Sequence, residues 1–184
     1  MALLHSTMVP LGTPAADFKL PGVDGEEYSL TSFSEYSVLV IIFMCNHCPY
    51  VKAVIQRLID LQKEVSDQGV RLVGINCNDA KKYTDDSFEN MKSVSKGWRM
   101  NFPYLLDESQ EIAKKYEAVC TPDIYVYGEE RKLLYRGRID DNWEKADQVR
   151  KRDLKQAIDC ILGSKKVPEE QIPSMGCSIK WKVS

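Results

Sequence analysis

The chain has 184 residues, with 25 Lys plus Arg against 27 Asp plus Glu, a formal charge of −2. This length predicts one domain of the usual roughly 100–200 residues, and the acidic balance argues against a nucleic-acid partner, which calls for a basic excess. Hydrophobic residues at 43% and charged residues at 28% exclude global disorder, and the longest apolar run, Val38 to Cys45, falls far short of the ~20 residues that span a bilayer as a helix, so no membrane partner is expected.

The first ten residues lack both a basic start and an apolar stretch of signal-peptide length, so a cytoplasmic protein is expected. Residues 9–31 alternate turn residues with short apolar pieces around Asp24-Gly25, a turn pair that predicts a β-hairpin. Val38-Leu-Val-Ile-Ile-Phe43 is continuously apolar and β-branched, as a central strand covered on both faces must be. From Pro49 to Gly69 the apolar residues recur at helical spacing, with Pro49 in the first turn and Gly69 at the end. Val70–Ile75 then completes a βαβ unit with parallel strands. An exposed helix is expected within Asp79–Asn101, a short edge strand at Phe102–Leu106, a helix at Ser109–Ala118, a hairpin from 123–127 and 132–136, and a helix at Asp153–Leu162. Lys165–Ser184 has no clear periodicity. The expected organisation is therefore a domain over 1–163 and a tail, 164–184, packing on it.

Cys45-Asn46-His47-Cys48 falls where the buried strand passes into the helix. The free N–H groups and partial positive charge of a helix N-terminus favour thiolate over thiol, lowering a cysteine pKa from about 8.5 into the range ~3.5–7.5. Two intervening residues let the second sulfur reach the first. The expected roles are Cys45 as an exposed attacking thiolate and Cys48 as the thiol that resolves the mixed disulfide. His47 adds positive charge beside them and predicts a potential above the thioredoxin level of about −270 mV. Cys45, His47, Cys48 and Cys120 also form a candidate metal set, but the second cysteine or histidine pair that completes most structural zinc sites is missing, so no metal is expected. Pro49 stands where a c-type haem attachment needs His.

The order of motifs resembles the thioredoxin superfamily, in particular its peroxiredoxin-like, AhpC/TSA-like branch. The resemblance rests on Gly12-Thr-Pro-Ala-Ala-Asp-Phe-Lys-Leu20, Asp24-Gly25 with Ser29-Leu30, Phe43-Met-Cys-Asn-His-Cys-Pro-Tyr-Val51, Cys120-Thr-Pro-Asp123, Tyr135-Arg-Gly-Arg-Ile-Asp140 and Gly176-Cys-Ser-Ile-Lys-Trp181. It implies a thioredoxin-like α/β fold: a central mixed sheet flanked by helices, with an N-terminal β-hairpin and a C-terminal extension. It also implies that Pro122 is a cis-proline facing the cysteine pair, with the backbone at Thr121 open to pair with an extended substrate. Cys120 becomes a candidate third redox thiol, and Cys177 a fourth if the tail folds over the site.

The chain departs from the family patterns at five points. Ile41 and Cys45 stand where the peroxiredoxin signature has Pro and Thr, and the arginine found near the loop before Pro122 has no counterpart in Val119-Cys-Thr121. Leu39 replaces the buried acid of thioredoxins and Met44 the Trp. The expected function is a thiol–disulfide oxidoreductase without a cofactor, acting on protein or small-molecule disulfides and thiols. The rivals are an antioxidant thiol peroxidase in which Cys48 takes oxygen from peroxide, and a metal-binding or redox-sensing module. A homodimer is compatible with either enzyme. Arg136, Arg138 and Asp140 are expected as a charged rim or as ordinary surface ion pairs.

Overall fold

An apolar run flanked by amphipathic segments has to be sandwiched, and that requirement organises the chain. In the computed structural model, which describes residues 3–183, the order is β1 (Leu3–His5), β2 (Lys19–Pro21), β3 (Glu27–Ser29), β4 (Val38–Phe43), α1 (Pro49–Val65), β5 (Val70–Asn76), α2 (Phe88–Trp98), β6 (Tyr104–Leu106), α3 (Glu111–Lys115), β7 (Cys120–Thr121), β8 (Asp123–Tyr127), β9 (Leu133–Arg136), α4 (Asp153–Leu162) and β10 (Met175–Ser178). Five strands form one mixed sheet in the order β6-β5-β4-β8-β9. β4 runs parallel to β5 and antiparallel to β8, as a βαβ unit joined to a hairpin requires.

Because side chains alternate along a strand, β4 serves two cores at once. Val38, Val40 and Ile42 pack with Val54 and Leu58 of α1 and Leu154 and Ile158 of α4. Leu39, Ile41 and Phe43 face the other way, onto Phe33, Ile112, Tyr116 and Tyr125. All six residues of β4 are fully buried. The β2–β3 hairpin turns at Asp24-Gly25, where Gly25 takes φ +93°, and Val23 N–H donates to Tyr104 O at 3.0 Å, which covers part of the β6 edge.

Three segments differ from the sequence expectation. α2 starts only at Phe88, with Ser87 as N-cap, and residues 79–87 form a loop with a 3-10 turn. α3 is one short helix, bounded by left-handed residues at Gln110 (φ +66°) and Glu117 (φ +53°). The aperiodic tail contains β10, which pairs antiparallel with both β1 and β7, placing Cys177 opposite Leu3 on one side and Thr121 on the other.

The fit of β10 depends on Gly176. A Cβ there would stand 2.0 Å from Thr121 O, closer than any real contact. Gly176→Ala should therefore cost about 1–3 kcal/mol through overpacking. Gly97→Ala in α2, where no heavy atom lies within 4 Å of the added Cβ, should be neutral or stabilising by up to about 1 kcal/mol. Urea unfolding of the two variants checks the contrast.

Candidate active site

The Cys45–Cys48 turn carries donors that must be satisfied inside the protein, and Asp86 satisfies one backbone N–H and the His47 ring. Its Oδ1 accepts from Asn46 N–H at 2.7 Å, and its Oδ2 accepts from His47 Nδ1 and Asn78 Nδ2, each at 2.7 Å. The Asn46 side chain donates to Asp85 O at 2.7 Å and accepts from Tyr104 OH at 2.9 Å. The His47 ring stacks on Tyr83 at 5.7 Å between centroids. Burial alone pushes the Asp86 carboxyl up, but the bonds from His47, Asn78 and Asn46 outweigh it and hold the carboxyl below the ordinary range. The same bond to Asp86 raises His47. When protonated, His47 is therefore balanced by a carboxylate rather than a free positive charge beside the sulfurs.

Cys48 is the N-cap of α1, with Pro49 at the first helical position. Cys48 is 0% exposed and Cys45 1%. The Cys45 thiol is the strongest of the donors that lower the Cys48 pKa. Burial opposes it, while Val51 N–H, the Thr121 hydroxyl and the Cys177 thiol lower it further. As a thiol, Cys48 also donates to Thr121 O at 3.1 Å. Ionisation removes that one hydrogen bond, and the donors just named outnumber it. Cys45 lies 3.4 Å from Thr121 Oγ1, and its pKa is raised by its bond to Cys48, by burial and by the charge of Asp86.

The expected exposure of Cys45 is corrected, since it is as buried as Cys48. Cys48 is the residue that caps the helix, next to the positive end of its dipole. Cys45, three residues earlier, sits buried near a carboxylate.

Thr121–Pro122 is a cis bond, as the resemblance implies. The Thr121 edge expected to receive a substrate strand is taken by Cys177 of β10. Cys120 is buried with its sulfur turned to Pro122 O at 3.8 Å, and burial pushes its thiol far above the ordinary value. Beside Pro122 opens a cavity of about 320 Å³ lined by Tyr50, Val54, Ile124, Ile139 and Trp143, with the Tyr50 and Trp143 rings 4.2 Å apart.

The charged residues expected as a rim are engaged in the scaffold. Arg138 Nε bonds Asp153 at 2.9 Å, Arg136 bonds Gln171 at 3.0 Å, and Asp140 pairs with Arg57, which also donates to Trp143 O at 2.6 Å. The candidate metal set also changes. Donor atoms of Cys45, His47 and Asp86 lie within 4.8 Å of one another, with Asp86 in place of Cys48 and Cys120, although its oxygens already accept three bonds.

Asp86, Asn78 and Tyr104 escape sequence reasoning because each reaches the site from a different element with no local motif. Asp123, directly after Pro122, escapes it as well. Burial pushes its carboxyl up to about 7, and its Oδ1 has no hydrogen-bond partner.

Residues 11–136 match the AhpC/TSA family. The chain belongs to the AhpC/TSA family. An uncharacterised conserved protein of Geobacillus kaustophilus is 44% identical, covering 100% of this chain and 98% of its own, with a TM-score of 0.95. A hypothetical protein of Sinorhizobium meliloti is 38% identical, covering 98% and 99%, with a TM-score of 0.94. A putative thiol:disulfide interchange protein DsbE from Chlorobium tepidum shares the fold at 19% identity, over 84% of this chain and 99% of its own, with a TM-score of 0.66. No curated protein matches the chain. The fold of this AhpC/TSA member is thioredoxin-like, and at a coarse level the family makes it an oxidoreductase. Among the described residues no helix is long and apolar enough to cross a membrane.

Two substitutions test the electrostatics. A raised acid binds its proton more tightly in the folded state, so the contribution of Asp123 to stability is full below 3.8, its ordinary value, and is lost as pH rises to about 7. Wild-type stability should fall across that window with a slope of at most about 1.4 kcal/mol per pH unit, and Asp123→Asn should flatten it in denaturation measured at several pH values. Asp86→Ala should lower stability by about 1–3 kcal/mol, because it strands the Asn46 and His47 donors. Equilibrium urea unfolding gives that figure.

Proposed function

We propose that the protein is a thiol–disulfide oxidoreductase whose Cys45–Cys48 pair cycles between dithiol and disulfide, with Cys48 as the thiolate. The observation that carries this reading is the position of Cys48 as N-cap of a 17-residue helix, with the Cys45 thiol first among the groups that lower its pKa. The Cys48 thiolate attacks a client disulfide, a mixed disulfide forms and one client thiolate leaves. Cys45 then gives up its proton to that leaving thiolate or to water and attacks the Cys48 sulfur. The second client thiol departs, the pair is oxidised and the client is reduced to two thiols. The expectation that Cys45 attacks first is replaced by this order.

His47 acts as a positioning residue in this reading. Paired with Asp86, it holds the turn, and its charge reaches the sulfurs largely cancelled. Thr121 and Pro122 flank the sulfurs, and the cavity behind Pro122 suits an apolar client side chain. Cys120, kept protonated by burial, stands aside from the exchange.

A second reading, thiol peroxidase, is favoured by the same acidic Cys48 and by the AhpC/TSA match. There, peroxide oxygen transfers to Cys48 as a sulfenic acid, and Cys45 displaces water to form the same disulfide. No guanidinium is among the donors that lower Cys48, which leaves the peroxide O–O bond without a cationic partner and ranks this reading second. The Cys45, His47 and Asp86 cluster supports a metal-binding or redox-sensing role only if anaerobically purified protein carries stoichiometric metal.

The proposal is tested by trapping. Cys45→Ser combined with Cys177→Ser, which removes both thiols beside Cys48, should hold a client as a mixed disulfide on Cys48, Cys48→Ser should trap none, and both variants should lose multiple-turnover disulfide reduction. A trap that forms on Cys45 in Cys48→Ser contradicts the assigned order. Stoichiometric oxidation of Cys48 by micromolar peroxide, with no reaction toward disulfides, favours the peroxidase.

A further inference from the structure

A third sulfur lies at the pair, delivered by the C-terminal strand. β10 pairs with β7 so that Cys177 stands opposite Thr121, the residue whose carbonyl accepts from Cys48 Sγ at 3.1 Å. Cys48 and Cys177 are thus drawn to one peptide unit, and both lie in the same buried cluster. The approach is enforced by Gly176, the one residue type that lets β10 lie this close to Thr121 O. Cys177 is only 3% exposed, so a sulfur within the protein is its accessible partner, ahead of a thiol arriving from solvent.

Resting on the dithiol reading above, we propose that Cys177 exchanges with the Cys45–Cys48 disulfide to form a Cys48–Cys177 disulfide that clasps the C-terminal strand to the start of α1. The Cys177 sulfur attacks Cys48, the Cys45–Cys48 bond breaks and Cys45 leaves with the electron pair. The proton lost by Cys177 ends on Cys45. One disulfide is exchanged for another, so no oxidant or reductant is consumed. The clasp has a consequence for access. β10 occupies the edge of Thr121 where an extended client would pair, so a Cys48–Cys177 bond closes that edge, while a Cys45–Cys48 bond leaves β10 held only by its hydrogen bonds. Burial first, and then the neighbouring Cys48 thiolate, hold the Cys177 thiol protonated in the reduced protein. Once Cys48 is in a disulfide its charge is gone, and that restraint on Cys177 is eased.

The full-length wild type, Cys45→Ser and Cys177→Ser proteins are equilibrated with oxidised glutathione, quenched by alkylation, and mapped by peptide mass spectrometry. In Cys45→Ser the Cys48–Cys177 peptide should exceed glutathionylated Cys48 by about ten-fold or more, because the tethered thiol acts at a high effective concentration. In wild type both Cys45–Cys48 and Cys48–Cys177 should appear, and in Cys177→Ser only Cys45–Cys48. Glutathionylated Cys48 with alkylated Cys177 in Cys45→Ser, or a Cys48–Cys120 peptide in its place, overturns the clasp. Wild type that forms Cys45–Cys48 while no protein forms Cys48–Cys177 overturns the clasp and leaves the dithiol reading standing. Failure of Cys45–Cys48 to form in either wild type or Cys177→Ser overturns the dithiol reading itself.

Discussion

A sulfur taken out of water ionises only if protein donors replace the solvent, and Cys48 has collected such donors: a helix N–H, a hydroxyl and two thiols. No full positive charge is among them, so the dipoles must be aimed. The aim comes from the junction between β4 and α1. β4 delivers the chain to the end of the sheet fully buried, and Pro49 starts the helix with no N–H of its own to satisfy, so Cys48 sits at the N-terminus of α1. Cys45 gains little from the helix and is lifted further by Asp86. The pair is therefore asymmetric, with one sulfur tuned to carry charge and the other to carry a proton.

Asp86 is the second constraint. One buried carboxylate fixes the Asn46 backbone, the His47 ring and the Asn78 amide at once, so the turn between the two cysteines is held from outside the motif. Of the His47–Asp86 pair it is the carboxylate that Cys45 feels, since Asp86 raises its pKa. The charge that a histidine in this motif would bring to the redox potential is therefore largely cancelled within the ion pair, and its contribution is positional. His47 Nε2 is buried without a partner, and the stacking on Tyr83 keeps it there.

The five-stranded sheet, α1, α4 and the N-terminal hairpin are legible in the sequence because each is specified locally, by periodicity, by Pro49 or by Asp24-Gly25. The position of the cysteine pair at a strand-to-helix junction is legible for the same reason. Which of its sulfurs is acidic is not, because that depends on a capping geometry one turn wide and on Asp86, which is remote in the chain. β10 is invisible for a related reason: Met175-Gly-Cys-Ser178 has no alternation of its own, and it becomes a strand only between β1 and β7. The covered edge at Thr121 follows from that strand, so the site is more enclosed than a reading of its motifs implies.

The central claim is that Cys48 holds the negative charge, and ultraviolet thiolate absorbance titrated from acid to alkaline pH tests it most directly, since it needs no reagent to reach a buried sulfur. One thiolate should form within roughly pH 3.5–7.5 in wild type, disappear in Cys48→Ser, and shift to higher pH in Cys45→Ala, where the strongest donor is removed. A wild-type signal that first appears at about 8.5 or above, or an acidic thiolate that persists in Cys48→Ser, contradicts it.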